Sequence, residues 1–215
     1  MTVSDDRLAS LTIDGFLDVL ASDAPTPGGG AVAAIAGATS AALIVMVGRL
    51  TVNKDGFEDV RDRMQAIIET AAAAQAELVE LADRDAHAFD AVMDAFKMPK
   101  GTDEEKAARS AAIQAGYLGA AAVPLDVARR CVDLMALAVE ATAKGNPQAA
   151  SDALSAAASL HAGALCAIAN VEINATSLKD PSARASMLEE LASLKDRAAR
   201  SLGECQDAFG QRLTA

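Results

Sequence analysis

The 215-residue chain is long enough to enclose a substantial core, and it carries 19 Lys and Arg against 30 Asp and Glu, a formal net charge of −11. Its basic residues are dispersed, which excludes nucleic acid as a partner and leaves an anionic ligand needing a local cationic or backbone N–H site. Hydrophobic residues make up 52 % and aromatics 3 %, alanine abounds, and few segments show the alternation or β-branched runs of strands, so the expected class is all-α.

The N-terminus carries Asp5, Asp6, Asp14 and Asp18 without a basic stretch, so no signal peptide is expected and the protein is expected in the cytoplasm. Thr12 is placed to cap a first helix that carries Phe16, Leu17 and Leu20 inward and stops near Ser22. The segment from Ala24 to Gly30, rich in Pro and Gly, then opens a second helix running from about Gly29 to Val52. From Ala24 to Gly48 there is no charge, enough to span a bilayer. Its Gly, Ala, Ser and Thr content and its lack of interfacial aromatics favour a helix buried in a bundle, with no membrane partner. Gly37, Ala41 and Gly48 leave room for neighbouring backbones to come close. Pro27, Gly28, Gly29 and Gly30 set free N–H groups at the positive end of a helix dipole, which suits a carboxylate or a developing oxyanion. A tight turn and close packing explain the same glycines equally well.

A third, long helix is expected after the turn at Asn53–Gly56, ending at Pro99 and Gly101. Met64, Ile67, Ala71, Ala74, Leu78, Leu81, Asp85, Phe89, Val92 and Phe96 follow at steps of three or four and form one narrow stripe. Asp85 is the stripe's one charged member. A carboxylate in an apolar seam has its pKa pushed up or finds a partner, and the former is the physical preparation for general acid–base work. An Asp at a bundle end, or one pinned by an Arg, is the alternative. Thr102 and Glu105 form a capping-box signature for a fourth helix reaching about Lys144, which Pro124 should kink or interrupt. Gly145-Asn146-Pro147 is a stop.

The fifth helix, Gln148 to about Thr176, places Asp152, Ser155, Ser159, Gly163, Cys166, Asn170 and Asn174 on one face. Its remaining surface is apolar, so the stripe either faces a cavity or back-bonds to its own helix. Ser151 and Asp152 also suit the helix start as caps, and Lys54 is either a dipole partner for the second helix or an anion ligand. A sixth helix begins at Pro181 and reaches about Phe209. Short connections make the architecture a mostly antiparallel up-and-down bundle of about six helices, a single domain over 1–215. Cys131, Cys166 and Cys205 lie far apart and, with His87 and His161, make no metal-ligand pattern, so no metal is expected. His87 lies two residues from Asp85, across the helix, so the two form no dyad.

Several runs together resemble the cyclodeaminase/cyclohydrolase family of folate enzymes. They are Pro25-Thr26-Pro27-Gly28-Gly29-Gly30, Met46-Val47, Leu50-Thr51 and Lys54, then Asp85-Ala86-His87-Ala88-Phe89, Phe96 to Lys100 and Val123-Pro124-Leu125. Gly145-Asn146-Pro147, Ser151-Asp152 and Asn170 to Asn174 complete the set, which covers roughly Thr12 to Asn174. The resemblance implies an all-helical bundle working as a homodimer or larger assembly on a folate substrate, without metal or redox cofactor. It places the catalytic aspartate on Asp85. Ala31 departs from the pattern, since many members have Ser after the three glycines. The expected reaction is hydrolysis of 5,10-methenyltetrahydrofolate to 10-formyltetrahydrofolate, with Asp85 carrying the proton. Pro27, Gly28, Gly29, Gly30, Lys54, Asn146, Ser151, Asp152, Asn170 and Asn174 are the expected substrate-binding residues. Formiminotetrahydrofolate cyclodeaminase is the alternative, and a non-catalytic bundle that binds folate or a partner protein is another.

Overall fold

The computed structural model describes residues 7–214, so the acidic Asp5 and Asp6 lie outside it. Seven α-helices follow in order among these residues: α1 (Ile13–Leu20), α2 (Gly29–Val52), α3 (Arg61–Ala88), α4 (Asp90–Lys97), α5 (Asp103–Lys144), α6 (Ala150–Ala175) and α7 (Pro181–Thr214). Single 3₁₀ turns occupy Leu8–Ser10 and Pro147–Ala149, and there is no strand among the described residues. Local chemistry sets several of the boundaries. Thr12 accepts the Gly15 amide at 3.1 Å, and Thr102 and Glu105 close the reciprocal capping box. Asn146 accepts the Gln148 amide at 3.1 Å and starts the turn leading into α6.

Five expectations change. The long third helix is two, because the helical hydrogen-bond pattern breaks at Phe89, whose own dihedrals stay in the right-handed helical region. Beyond that break Ala95 and not Phe96 faces inward, since α4 reorients to pack on α5 at Gly116, where the Val92 backbone comes within 3.2 Å of an added Cβ. Pro124 does not interrupt α5, which runs unbroken around it because a side chain takes up the carbonyl that the proline leaves free. On α1 only one edge of the helix meets the core: Phe16 packs there while Leu17 is exposed. Finally, α7 continues past Phe209 to Thr214.

Residue pairings give the directions. Gly48 meets Ile68 and Gly37 meets Leu78, so α2 and α3 are antiparallel. Gly163 approaches the Ala33 carbonyl, making α6 antiparallel to α2, and Arg63–Glu140 and Arg130–Glu77 pairs run α3 against α5. Arg129–Glu190 and Arg197–Asp133 set α7 parallel to α5. Hence α2, α5 and α7 point one way and α3 and α6 the other, the up-and-down arrangement expected of short connections.

Close approach depends on missing side chains. A Cβ on Gly37 would sit 2.9 Å from the Cys131 sulfur, and one on Gly48 would sit 2.6 Å from Ile68. Helices α2, α5 and α6 are each long and apolar enough to cross a membrane. In this fold α2 lies against α3, α5 and α6, with Ala31, Ala34, Ala41, Ile44 and Val47 fully buried, so helix packing accounts for its hydropathy. Cys131 and Cys205 are buried, Cys166 is exposed, and all three are free thiols.

Candidate active site

The antiparallel layout gathers the start of α2 and the ends of α3 and α6 at one end of the bundle. There the side chain of Asp85, in the last turn of α3, lies directly on the backbone of Gly30. A methyl group at Gly30 would overlap all three atoms of the carboxyl, so only glycine admits the acid at this position. Gly28 caps α2 in extended conformation, and the Ala31 amide lies near enough to the carboxyl to favour its ionised form. Asn170 borders Gly29, its Nδ2 lying 3.0 Å from where a Cβ would be. Asn174, one turn further along α6, donates through Nδ2 to the carbonyls of Ala120 (3.2 Å) and Asn170 (3.0 Å).

The Ala120 contact follows from Pro124. A proline in a helix has no N–H, so the carbonyl four residues earlier loses its helical donor. That carbonyl belongs to Ala120, and the Asn174 amide takes it. Helix α5 thereby keeps its hydrogen bonding while Asn174 is fixed at the rim of the site.

These groups enclose a cleft of about 240 Å³, bordered by Thr26, Gly28, Gly30, Asp85, Phe89 and Asn170 among others. Its volume is below the roughly 300–1,000 Å³ that holds a whole drug-sized ligand, so it accommodates one end of a larger molecule. Asp85 is half-buried, and burial raises its pKa, with the Ala31 amide pulling it partly back. Among the described residues no cation contributes, so the arginine-pinned alternative for Asp85 is not what the structure holds. The first amides of α2 have no intrahelical acceptor and, with the helix dipole, set positive potential at the same cleft. A half-buried acid of raised pKa can take a proton from water and return it, while backbone amides stabilise developing negative charge.

The structure brings together Gly28, Gly29, Gly30, Asp85, Asn170 and Asn174. Pro27 is buried just behind them, following a cis peptide bond from Thr26, while Pro25 and Thr26 line the cleft. Lys54, Asn146, Ser151 and Asp152 sit at the opposite end of the bundle. The length of α2, about 35 Å at 1.5 Å per residue, separates them from Asp85. There the Lys54 ammonium donates to Asn146 Oδ1 (3.1 Å) and lies 5.8 Å from the Phe57 ring centre, and the Asn146 amide donates to Thr51 Oγ1 (2.9 Å).

The polar stripe of α6 faces the cleft only at its end. Its arc straddles the edge of the core: Gly163 is buried under α2, Ser155, Ser159 and Cys166 are exposed, and Ser155 bonds back to the Ser151 carbonyl (2.8 Å). His87 is exposed, 3.5 Å from Asp90, and takes no part in the site. Among the described residues no three His, Cys, Asp or Glu side chains group as metal ligands would. Sequence reasoning did not name Pro25, Thr26, Ala88, Phe89, Ala120 or Ile173 as site residues, and all six line the cleft. Ala120 could have been found, because Pro124 marks it as the owner of a free carbonyl; Ile173 carries no comparable signal.

Comparison with known proteins agrees with this geometry. Residues 12–193 match the family model described as formiminotransferase-cyclodeaminase. The chain is 44 % identical over 183 residues to methenyltetrahydrofolate cyclohydrolase of Methylorubrum extorquens, covering 85 % of this chain and 88 % of that protein. It is 35 % identical over 206 residues to mouse formimidoyltransferase-cyclodeaminase, covering 94 % of this chain but 38 % of that longer protein. The crystal structure of formiminotetrahydrofolate cyclodeaminase from Thermotoga maritima superposes with a TM-score of 0.86 at 34 % identity, covering 96 % of this chain and 99 % of that one. With its fold and most of its length matching, the chain belongs to the formiminotransferase-cyclodeaminase family.

Proposed function

We propose that the protein hydrolyses 5,10-methenyltetrahydrofolate to 10-formyltetrahydrofolate. The observation that carries this reading is the half-buried carboxyl of Asp85, seated on Gly30 without a neutralising cation and opening on a cleft sized for the reacting end of a folate. The substrate's amidinium charge favours the carboxylate form of Asp85 on binding. Water then attacks the carbon bridging N5 and N10 while its proton passes to Asp85. The bond from that carbon to N5 breaks as Asp85 returns the proton to N5, the hydroxyl of the adduct releases its remaining proton to solvent to become the formyl C=O, and the formyl group stays on N10. The Gly29 and Gly30 amides face the oxygen that gains charge, and Asn170 and Asn174 offer hydrogen bonds to the pterin edge. Water and one proton carrier suffice, so the reading calls for no cofactor.

The similarity to the Thermotoga maritima cyclodeaminase over nearly its whole length supports a second reaction at the same site. There N10 attacks a formimino carbon and ammonia leaves with a proton from Asp85. Purified protein mixed with methenyltetrahydrofolate tests the first reading by loss of the near-ultraviolet band. Ammonia released from formiminotetrahydrofolate, with no such hydrolysis, would establish the second in its place.

We further propose that the enzyme works as a homodimer. Supporting this, α2 and α6 lie side by side and antiparallel, and large apolar side chains remain exposed on them: Met46, Leu50, Leu165 and Ile173. A two-fold axis running across these helices would set the Lys54–Asn146 end of one copy beside the Asp85 cleft of the other. Mixing inactive Asp85→Asn with impaired Lys54→Ala subunits should then restore activity, since one cleft of each mixed dimer is intact. Mixtures no more active than their parts would reject the shared site.

A further inference from the structure

Among the described residues that line the Asp85 cleft there is no Lys, Arg or His, and Phe89 supplies the one aromatic ring. Asp85 and Phe89 are four residues apart. Phe89 keeps helical dihedrals (φ −82°, ψ −17°), so its side chain follows the carboxyl on the same face, one turn further along. The stripe they belong to is otherwise buried: Leu78 and Leu81 before them and Val92 after them are at most 1 % exposed. Asp85 and Phe89 are part-buried and border the cleft. The apolar seam therefore surfaces for a single turn, where a carboxylate and a benzene ring stand next to each other.

That ring is used neither in the core nor on a cation of the chain. Phe16 packs on the core, and Phe89 does not. The Phe57 ring lies 5.8 Å from the Lys54 ammonium and the Phe96 ring 5.4 Å from the Arg109 guanidinium, while no Lys or Arg among the described residues sits over Phe89. The face of an aromatic ring carries negative potential and attracts a cation within about 6 Å of its centre, more strongly out of water. A half-buried carboxylate beside such a face, in a chain of net charge −11, makes a place for positive charge. The opposing potential of the α2 amides falls off within the first turn of that helix, on the Gly30 side of the carboxyl.

We propose that Phe89 is a specificity-determining residue, its ring face receiving the delocalised cation of the substrate and giving no such hold to the neutral product. The inference rests on the proposed function for the identity of the substrate. In 5,10-methenyltetrahydrofolate one positive charge is spread over N5, the bridging carbon and N10. With the bridging carbon beside Asp85, that charge comes within cation–π reach of a ring about 5–6 Å further along the helix face. Addition of water and loss of a proton remove the charge, so 10-formyltetrahydrofolate is neutral there. Hydrophobic contact alone would hardly tell the two apart, since they differ in composition by one hydroxide.

The test replaces Phe89 by 4-fluoro-, 3,5-difluoro- and 3,4,5-trifluorophenylalanine through codon suppression. Each fluorine drains the negative face of the ring, keeps its shape nearly constant and makes it more apolar, so charge attraction and hydrophobic contact predict opposite trends. KM for methenyltetrahydrofolate is compared with the inhibition constant of 5-formyltetrahydrofolate, a folate whose one-carbon group is neutral. KM should rise with each fluorine, by roughly threefold to thirtyfold for the trifluoro ring, the span of a cation–π contact from exposed to desolvated. The inhibition constant should stay within about twofold across the series, and kcat should not fall, because the charge is being lost as water adds. A KM indifferent to fluorine, or a KM and an inhibition constant rising together, would overturn the proposal. Failure of the functional reading is separated by calorimetric titration with the same two folates. Should methenyltetrahydrofolate not be turned over, its binding that weakens with fluorination while 5-formyltetrahydrofolate binding holds still supports Phe89. A flat series, or no binding of methenyltetrahydrofolate, overturns it.

Discussion

Gly30→Ala asks whether the position of Asp85, and not only its presence, supports the chemistry. The new methyl group would overlap Cγ and both oxygens of the carboxyl. To regain an ordinary contact of about 3.4 Å or more from the 2.1 Å to Oδ1, the carboxyl must retreat by at least about 1.3 Å. It is the free end of a side chain at a cleft, so it can move, and alanine favours a helix over glycine by up to ~1 kcal/mol. The fold should therefore survive with little change in melting temperature. The retreat carries Asp85 away from the Ala31 amide and from the water it must deprotonate. A misplacement of ~1 Å costs on the order of 100-fold in rate, so kcat/KM for methenyltetrahydrofolate should fall by about that factor. Gly29→Ala, whose methyl meets only the far end of the Asn170 side chain at 3.0 Å, should lose much less. Loss of near-ultraviolet absorbance gives the rates and circular dichroism the melting curves. A folded Gly30→Ala protein with kcat/KM within twofold of wild type would refute the reasoning, as would equal losses for the two glycines.

Pro124→Ala restores an N–H that competes with Asn174 for the Ala120 carbonyl. It should raise the melting temperature while raising KM by roughly twofold to tenfold, the worth of one hydrogen bond; an unchanged KM would mean Asn174 does not depend on the proline. Asp85 also makes stability depend on pH. Its folded pKa lies above its unfolded one, so the native state binds more protons between the two values, and stability falls as pH rises through that window. Asp85→Asn lacks this penalty, so its melting temperature should match wild type in acid and exceed it at neutral pH, as thermal scans across the acid range would show.

Much of the site was legible before any coordinates because its chemistry conflicts with its local pattern. Asp85 stands in an apolar seam and Gly28 to Gly30 open a helix without a side-chain cap, and each anomaly marks one side of the cleft. Lys54, Asn146, Ser151 and Asp152 show what such marks leave out. Each is placed by its own turn, and nothing local says that a helix of about 35 Å stands between them and Asp85. The break at Phe89 was hidden for a similar reason. The apolar stripe runs through it unchanged, and the reorientation of α4 is decided by Gly116 on another helix. Pro124 was read as a disruption because the rule for helical prolines is local, whereas the donor that compensates it comes from α6. Caps were read correctly at Thr12 and Thr102, where donor and acceptor lie three residues apart.

The central claim is that Asp85 moves the proton, and the pH dependence of kcat/KM for methenyltetrahydrofolate in wild type and Asp85→Asn tests it most directly. The wild type should gain activity with rising pH along a limb set above the ordinary aspartate range. Asp85→Asn, equal in shape and still folded, should lose that limb together with about 100-fold or more of the rate. A variant that keeps both the rate and the limb would contradict the account.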